Sequence, residues 1–365
     1  MAKFLVFSDL HAYRWPAFAH LSKRGVNSRL LSIISVLKNI LQASKDNNCD
    51  AILFAGDLFH TPKIDVTEYD LVARQLRASP IPIVMIPGNH DEAEAGPHYH
   101  SMRALVGKGR ILLDPREGCI TKQGDTVIGG IPFCKDVLSE MKAIRGADII
   151  LMHTGFAGAQ AGFDYIAEQK KFLQASKLYK YDYRLIIAGH FHTPQLIYKR
   201  EEYPTPCNDG VEYPIRNKLI LIPGAPLPHT FGDVGPRGYW IIDDKRAKFT
   251  KMGAPQFVKL DPSRESHMTV DLLRSLIAGN YVHYTAHSME EYKMAHEILS
   301  VDAVGFSITL EEKRKKEANR INICLDTPRL KALKRYVKAN PMHKIDNDRL
   351  IDIGLNLLSM AESNA

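Results

Sequence analysis

The first 250 residues alternate short apolar runs with stretches in which apolar residues recur at helical spacing. This alternation is typical of a β-sheet covered by α-helices. The apolar runs are too short for core helices and most are rich in Ile or Val, so we predict strands. These runs are residues 4–7, 51–55, 82–86, 148–152, 184–188, 219–222 and 239–242.

Two helices are predicted between these strands. Apolar residues recur at helical spacing from Leu30 to Leu41, and a second helix follows Asp65, which forms a capping box with Glu68. The composition and the spacing of the apolar residues change around residues 253–262. From there we predict a small α+β domain.

The small domain is expected to contain a helix, a strand and a second helix that starts with another capping box. Their predicted ranges are 269–278, 281–285 and 288–299. After Asp326, the pair Thr327-Pro328 favours the start of an amphipathic helix. Another helix is predicted from Asn347. The predicted domains are therefore residues 1–254, 255–326 and 327–365.

Composition places the chain among folded globular proteins, because 45% of its 365 residues are hydrophobic and 24% are charged. There is no apolar run of the roughly 18 residues that a membrane span needs. Too few apolar residues precede Asp9 for a secretory signal, so neither export nor membrane insertion is expected. Five scattered cysteines without a C-x-x-C pair indicate free thiols in a reducing cytoplasm.

The positive charge is concentrated near the C-terminus. The net charge is +7, and residues 311–349 alone contain twelve basic against six acidic side chains. Such a concentration suits an anionic partner such as nucleic acid, although a solvated helix face explains it equally well. The candidate DNA contacts in this region are Lys313, Arg314, Lys315 and Lys316.

Five predicted strands end in polar residues of a restricted kind. The segments are Asp9-Leu10-His11, Gly56-Asp57-Leu58-Phe59-His60, Gly88-Asn89-His90-Asp91, His153 and Gly189-His190-Phe191-His192. Loops at the carboxyl ends of strands in such a sheet face one crevice, so these side chains can converge. Imidazoles, carboxylates and one amide, with no thiolate, suit manganese, iron or zinc.

Seven or eight such ligands are too many for one ion. Two divalent ions that share a carboxylate fit the number, and a pair about 3.5–4 Å apart is a common device for hydrolysing phosphate esters. The pattern alone therefore favours a dinuclear metal centre.

The five segments resemble the signature of the calcineurin-like metallophosphoesterases. Two further features, the segment from Gly56 to His60 and the run from Pro223 to Pro226 followed by residues 230–233, are similar to the SbcD-type nuclease subunit. The resemblance covers residues 3 to about 243. It implies an α/β fold in which a β-sandwich is flanked by helices, followed by a small capping domain and C-terminal helices.

The resemblance also implies roles for individual residues. It assigns Asp9, His11 and His192 to one ion and Asn89, His153 and His190 to the other, with Asp57 bridging them. His90, paired with Asp91, is expected near the leaving oxygen, and His60 is expected to orient a nucleic acid strand. Manganese is the expected ion.

The implied function is that of a DNA nuclease subunit in end processing, repair and recombination. The implied partners are DNA, an SbcC-like coiled-coil ATPase held by the C-terminal helices, and a second copy of the chain. Ala12 to Trp15, Ala225 and Asp233 depart from the family pattern and bring substrate preference into question. A small-molecule phosphodiesterase and an inactive DNA-binding scaffold are the alternatives.

Overall fold

The computed structural model describes most of the chain. The described residues are 2–93, 99–114, 118–162, 165–168, 170–199, 204–216, 218–261, 263, 270–311, 328–339 and 346–363. They belong to two compact units, Met1–Leu310 and Glu311–Ala365. The predicted DNA contacts Lys313 to Lys316 and the predicted boundary at 326 lie outside the described residues.

The described residues form seventeen strands. These are β1 (Phe4–Phe7), β2 (Ala51–Phe54), β3 (Ile83–Met85), β4 (Arg110–Leu112), β5 (Ile120–Gln123), β6 (Thr126–Ile131), β7 (Ile149–His153), β8 (Leu185–Gly189), β9 (Gln195–Ile197), β10 (Thr205–Pro206), β11 (Glu212–Pro214), β12 (Leu219–Ile222), β13 (Gly238–Ile242), β14 (Arg246–Lys251), β15 (Phe257–Leu260), β16 (Tyr281–Ala286) and β17 (Gly305–Leu310).

Seven α-helices accompany the strands in the same part of the chain. They are α1 (Ser28–Asp46), α2 (Val66–Ala78), α3 (Val137–Ala143), α4 (Val270–Ile277), α5 (Met289–Asp302), α6 (Arg329–Ala339) and α7 (Asn347–Ser363). The capping box found in the sequence is present at α2, where Asp65 and Glu68 bond each other's backbone N–H groups. Ser288 likewise accepts from the Glu291 N–H at the start of α5.

Two seven-stranded sheets form a sandwich. The strand orders are β11-β14-β13-β1-β2-β3-β4 and β10-β9-β12-β8-β7-β6-β5. The strands from β1 to β4 are parallel in the first sheet, as are β6, β7, β8 and β12 in the second. Parallel strands bury both faces, which explains why their sequences are continuous apolar runs.

The central core lies between the two sheets. Phe4, Trp240 and Phe249 from the first sheet pack there with Ile149 and Leu185 from the second. Helices α1 and α2 cover the outer face of the first sheet, and α3 covers part of the outer face of the second. The predicted sandwich flanked by helices is confirmed.

A third sheet, β15-β16-β17, is entirely parallel, with α4 and α5 as the crossover helices. It joins the sandwich through Arg29 of α1, which is 4% exposed. The Arg29 guanidinium carbon lies 5.2, 4.9 and 5.3 Å from the ring centroids of Trp15, Phe257 and Tyr281. This buried cation therefore links helix α1, the loop after β1 and the third sheet.

In the second unit, α6 and α7 pack against each other. The Leu333 side chain of α6 lies against Gly354 of α7, and Val337 is buried. Among the described residues, no helix combines the length and apolar character needed to cross a membrane.

Candidate metal centre

The carboxyl ends of the central strands bring the predicted donor residues into one cleft. Asp9 and His11 follow β1, Asp57 follows β2, and His153 ends β7. The donor atoms of Asp9, His11 and His192 lie within 4.8 Å of one another, and so do those of Asp9, Asp57 and His153. Each group is a candidate for holding a cation.

Asp57 lies at the centre of the cleft. Its side chain is 2% exposed, and its Oδ2 is 3.6 Å from His11 Nε2 and 3.3 Å from His153 Nε2. On one side, the Nε2 atoms of His11 and His192 are 3.2 Å apart. On the other, Asn89 Oδ1 lies 3.0 Å from both His153 Nε2 and His190 Nδ1. The seven donors thus form two groups that meet at Asp57.

Contacts outside the cleft orient two of the imidazoles. His153 Nδ1 lies 2.8 Å from the carbonyl oxygen of Ala55, and His192 Nδ1 lies 2.9 Å from Asp233 Oδ1. When Nδ1 carries the proton and donates it to these oxygens, Nε2 is left as the acceptor that faces the cleft. This is the usual arrangement of histidines that bind metal ions.

The backbone of the donor residues is strained. Asp9, His11, Asp57 and His190 have φ values of 54°, 46°, 60° and 99°, although none of them is glycine. Side chains disfavour this left-handed region, and residues held in it cluster at functional sites. The surrounding fold therefore holds these four residues in positions that they would not adopt on their own.

Two glycines make the close approach of the loops possible. Gly56 has a φ of 94°, and a Cβ there would collide with the His153 ring. At Gly88, a Cβ would collide with the carboxylate and backbone nitrogen of Asp57. The glycines that precede the donors in the sequence thus keep Asp57, Asn89 and His153 within reach of each other.

The electrostatics of the cleft favour cation binding. Burial, together with the neighbouring histidines, holds the pKa of His11 well below its ordinary value, and burial lowers the pKa of His190 to about 4. Burial alone would also lower the pKa of His153, but Asp57 raises it to about 9. A cation bound there would displace a proton from His153. Imidazoles, carboxylates and an amide oxygen are ligands that divalent ions accept, so the residues present fit two such ions.

His60 and His90 lie beside this centre. Their rings are stacked with centroids 4.9 Å apart, and the ring of Trp15 lies 4.2 Å from that of His60. His90 Nδ1 lies 2.8 Å from the His60 carbonyl oxygen. His11, His60 and His90 also have nitrogen atoms within 4.8 Å of one another.

The structure corrects the expected pairing of Asp91 with His90. The Asp91 carboxylate accepts backbone N–H bonds from Leu58, Phe59 and Gly88, and a hydroxyl bond from Ser101. Because its side chain points into the loop after β2, it is not available to the imidazole of the preceding residue. Burial raises the pKa of Asp91 to about 6.

Several residues of the cleft were not assigned a function from the sequence. His229 is 4% exposed, with Nε2 lying 3.3 Å from the carbonyl oxygen of Asp9. Asp233 orients His192, while Arg237 lies 3.6 Å from Asp233 and also donates to the His192 carbonyl oxygen. Only the resemblance of residues 223–233 to a family loop pointed to this region.

Comparison with known proteins agrees with this site. The sequence profile of the calcineurin-like phosphoesterases matches residues 2–194, and the chain belongs to that family. The family implies a metal-dependent hydrolase of phosphoester bonds.

Two curated proteins are similar to this chain. One is the DNA double-strand break repair protein Mre11 of Aeropyrum pernix, 26% identical over 253 residues, which are 62% of this chain and 57% of that protein. The chain thus spans little more than half of the Mre11 relative. The other is a probable cyclic nucleotide phosphodiesterase of Fibrobacter succinogenes, 26% identical over 222 residues, which are 55% of this chain and 82% of that protein.

Among solved structures, TT1561 of Thermus thermophilus matches with a TM-score of 0.42 and 14% identity. The match covers 68% of this chain and 98% of that one.

Proposed function

We propose that this protein is a dinuclear-metal-dependent phosphodiesterase that cleaves DNA. The observation that carries the proposal is the convergence of seven donor side chains in two groups around Asp57, with His90 beside them. Asp9, His11 and His192 would hold one ion, Asn89, His153 and His190 the other, and Asp57 both. Two bound ions supply an activated water nucleophile and stabilise the charge that develops on the phosphoryl oxygens.

Residues of this chain would supply the proton that the leaving oxygen takes up. His90 Nδ1 donates to the His60 carbonyl oxygen, 2.8 Å away, so His90 would act as the acid in its imidazolium form, in which Nε2 also carries a proton that it can give to the leaving oxygen. Asp91 acts indirectly, as a positioning residue: it accepts from the N–H groups of Leu58 and Phe59 and so holds the loop that carries Asp57 and His60.

Two observations support DNA as the substrate. The similarity to the Mre11 protein covers 62% of the chain. In addition, the half-buried rings of His60 and Trp15 pack together beside the metal centre, and aromatic rings are suited to stacking on bases. In this proposal manganese is the working ion, His60 orients the strand, and an SbcC-like ATPase and a second copy of the chain are the protein partners.

A small-molecule phosphodiesterase is the second candidate, favoured by the similarity to the probable cyclic nucleotide phosphodiesterase. An inactive scaffold is less consistent with the site, because all seven donors are present and four of them have a strained backbone conformation with positive φ. Residues kept in unfavourable conformations are expected where a ligand needs them.

One assay separates the three functions. Purified protein with manganese is incubated with linear duplex DNA, with 3′,5′-cyclic AMP and with bis(p-nitrophenyl) phosphate, each with and without EDTA. We expect EDTA-sensitive cleavage of DNA and of the generic diester. Rapid turnover of cyclic AMP with intact DNA would establish the small-molecule function, and no turnover of any substrate would establish the scaffold.

A further inference from the structure

A second cavity adjoins the metal centre on the side of the second sheet. We call it the lysine pocket; it has a volume of about 470 Å³, and its lining includes Phe133, Lys135, Lys171, Phe172, Lys177 and His190. Its volume falls within the range of small-molecule sites, about 300–1,000 Å³. Because His190 belongs both to this lining and to the metal-binding donors, a molecule in the pocket would be next to the reacting phosphate.

The apolar part of the pocket is formed by two aromatic rings. Phe133 follows β6 at the carboxyl edge, and its ring centroid lies 6.0 Å from that of His190 at an interplanar angle of 31°. Phe172 packs on Phe191 with centroids 5.3 Å apart. Gly155 also lines the pocket, and a Cβ there would collide with both Phe172 and Phe191. Because Gly155 has no side chain, both rings can pack directly against its backbone.

The charged part of the pocket is positive. Lys135, Lys171 and Lys177 line it together with a single carboxylate, Asp136. Asp136 accepts the Ser139 N–H at the start of α3, and Lys171 pairs with Glu168 at 2.8 Å. Within the described part of the chain, Lys135 and Lys177 form no ion pair. Two ammonium groups are therefore available for an anionic ligand.

The lysine pocket has an aromatic wall and two available ammonium groups, and its lining residue His190 also belongs to the candidate metal centre. These three features together fit a nucleotide. We propose that the lysine pocket binds one nucleotide of the substrate strand, with its base against Phe133 and Phe172 and its phosphate near Lys135 and Lys177. This inference rests on the proposed function in that it assigns a position to a nucleic acid substrate of the same centre.

The test is a binding measurement that does not depend on turnover. Binding of thymidine 5′-monophosphate and of ribose 5-phosphate is measured calorimetrically in EDTA, so that bound metal makes no contribution. Phe133→Leu should weaken thymidine 5′-monophosphate binding by about fivefold or more, because base stacking is lost, and should leave ribose 5-phosphate binding unchanged. Lys135→Gln with Lys177→Gln should weaken both ligands by roughly tenfold.

Two controls accompany these variants. Phe133→Tyr keeps an aromatic ring and should retain binding. Lys142→Gln removes an exposed charge from α3 outside the pocket lining and should change nothing. A second readout is the KM for thymidylyl-3′,5′-thymidine in manganese, which should rise in the Phe133→Leu protein by a larger factor than the KM for bis(p-nitrophenyl) phosphate.

Failure of the pocket and failure of the proposed function give different results. If the wild-type protein cleaves DNA but the variants bind thymidine 5′-monophosphate like the wild type, or if the wild type does not bind it, the pocket assignment is wrong and the nuclease proposal stands. If binding depends on Phe133 but no DNA is cleaved, the pocket is right and the nuclease proposal is wrong.

Discussion

Asp233 accepts a hydrogen bond from His192 Nδ1 over 2.9 Å, although the two residues are 41 positions apart in the chain. Burial by itself would raise the pKa of Asp233, but the hydrogen bond from His192 and the charges of His192 and Arg237 hold it well below its ordinary value. Asp233, which is not one of the seven donors, thus remains ionised and fixes the ring orientation of His192, a candidate metal ligand.

We therefore predict that Asp233→Asn weakens metal binding at one of the two positions. An amide in place of the carboxylate loses the charge that fixes the His192 tautomer, and such losses cost about 10- to 100-fold in metal affinity. Isothermal titration with manganese measures this directly. Asp233 also accepts the backbone N–H groups of His229 and Thr230. Asp243→Asn is the matched control, because Asp243 likewise accepts two backbone N–H bonds in a turn, but at the opposite edge of the sheet. Equal losses in both variants would contradict the prediction.

The second prediction separates metal binding from proton transfer. Asp57→Ala removes the carboxylate between the two donor groups and should lose bound metal and activity together. His90→Ala should keep its metal but lose activity by about 10²- to 10⁴-fold, as expected for a general acid. Elemental analysis and the generic diester assay measure the two properties. A metal-free His90→Ala protein with a fully loaded Asp57→Ala protein would reverse the assignment.

The third prediction concerns the connection between the sandwich and the third sheet. Arg29→Ala should destabilise the protein by on the order of 3 kcal/mol, because it removes contacts with three rings and leaves the carbonyls of Ala17 and His229 without their donor. Urea unfolding measures the change. Arg24→Ala, at an exposed position in the preceding loop, should not change the midpoint of the urea unfolding transition.

The fourth prediction concerns the basic residues Lys313, Arg314, Lys315 and Lys316. If they contact DNA phosphates, changing all four to Gln should flatten the slope of log affinity against log salt by about 3.6 for duplex DNA. The measurement is a series of binding titrations at increasing salt concentration. An unchanged slope would make this cluster a solvated surface.

The fifth prediction concerns the C-terminal unit. A chain truncated after Asp326 lacks α6 and α7, which pack on each other and leave Tyr336, Ile353 and Leu357 exposed. It should still hydrolyse small phosphodiesters in manganese but fail to co-purify with a coiled-coil ATPase, because exposed apolar anchors on a helix suit a groove in a partner. A truncated chain that still binds the ATPase normally would refute the role of these helices.

The sequence alone determined the central strands and the residues that follow them. Runs such as Phe4–Phe7 and Leu185–Gly189 were predictable because strands buried on both faces must be apolar throughout. The donor residues could be found for the same reason, since each follows a strand that the apolar pattern locates. Short peripheral strands such as β5 and β10 have exposed or polar residues and no comparable pattern, so they were not predicted.

Only the tertiary structure decided how the side chains pair. The family resemblance implied a pairing of Asp91 with His90, yet the Asp91 carboxylate bonds Leu58 and Phe59, more than thirty residues away. Asp233 and the lysine pocket depend in the same way on segments that meet only after the sheets have formed. Local patterns report which face of a strand is buried, whereas hydrogen-bond partners are selected by the packing of distant loops, which no local pattern encodes.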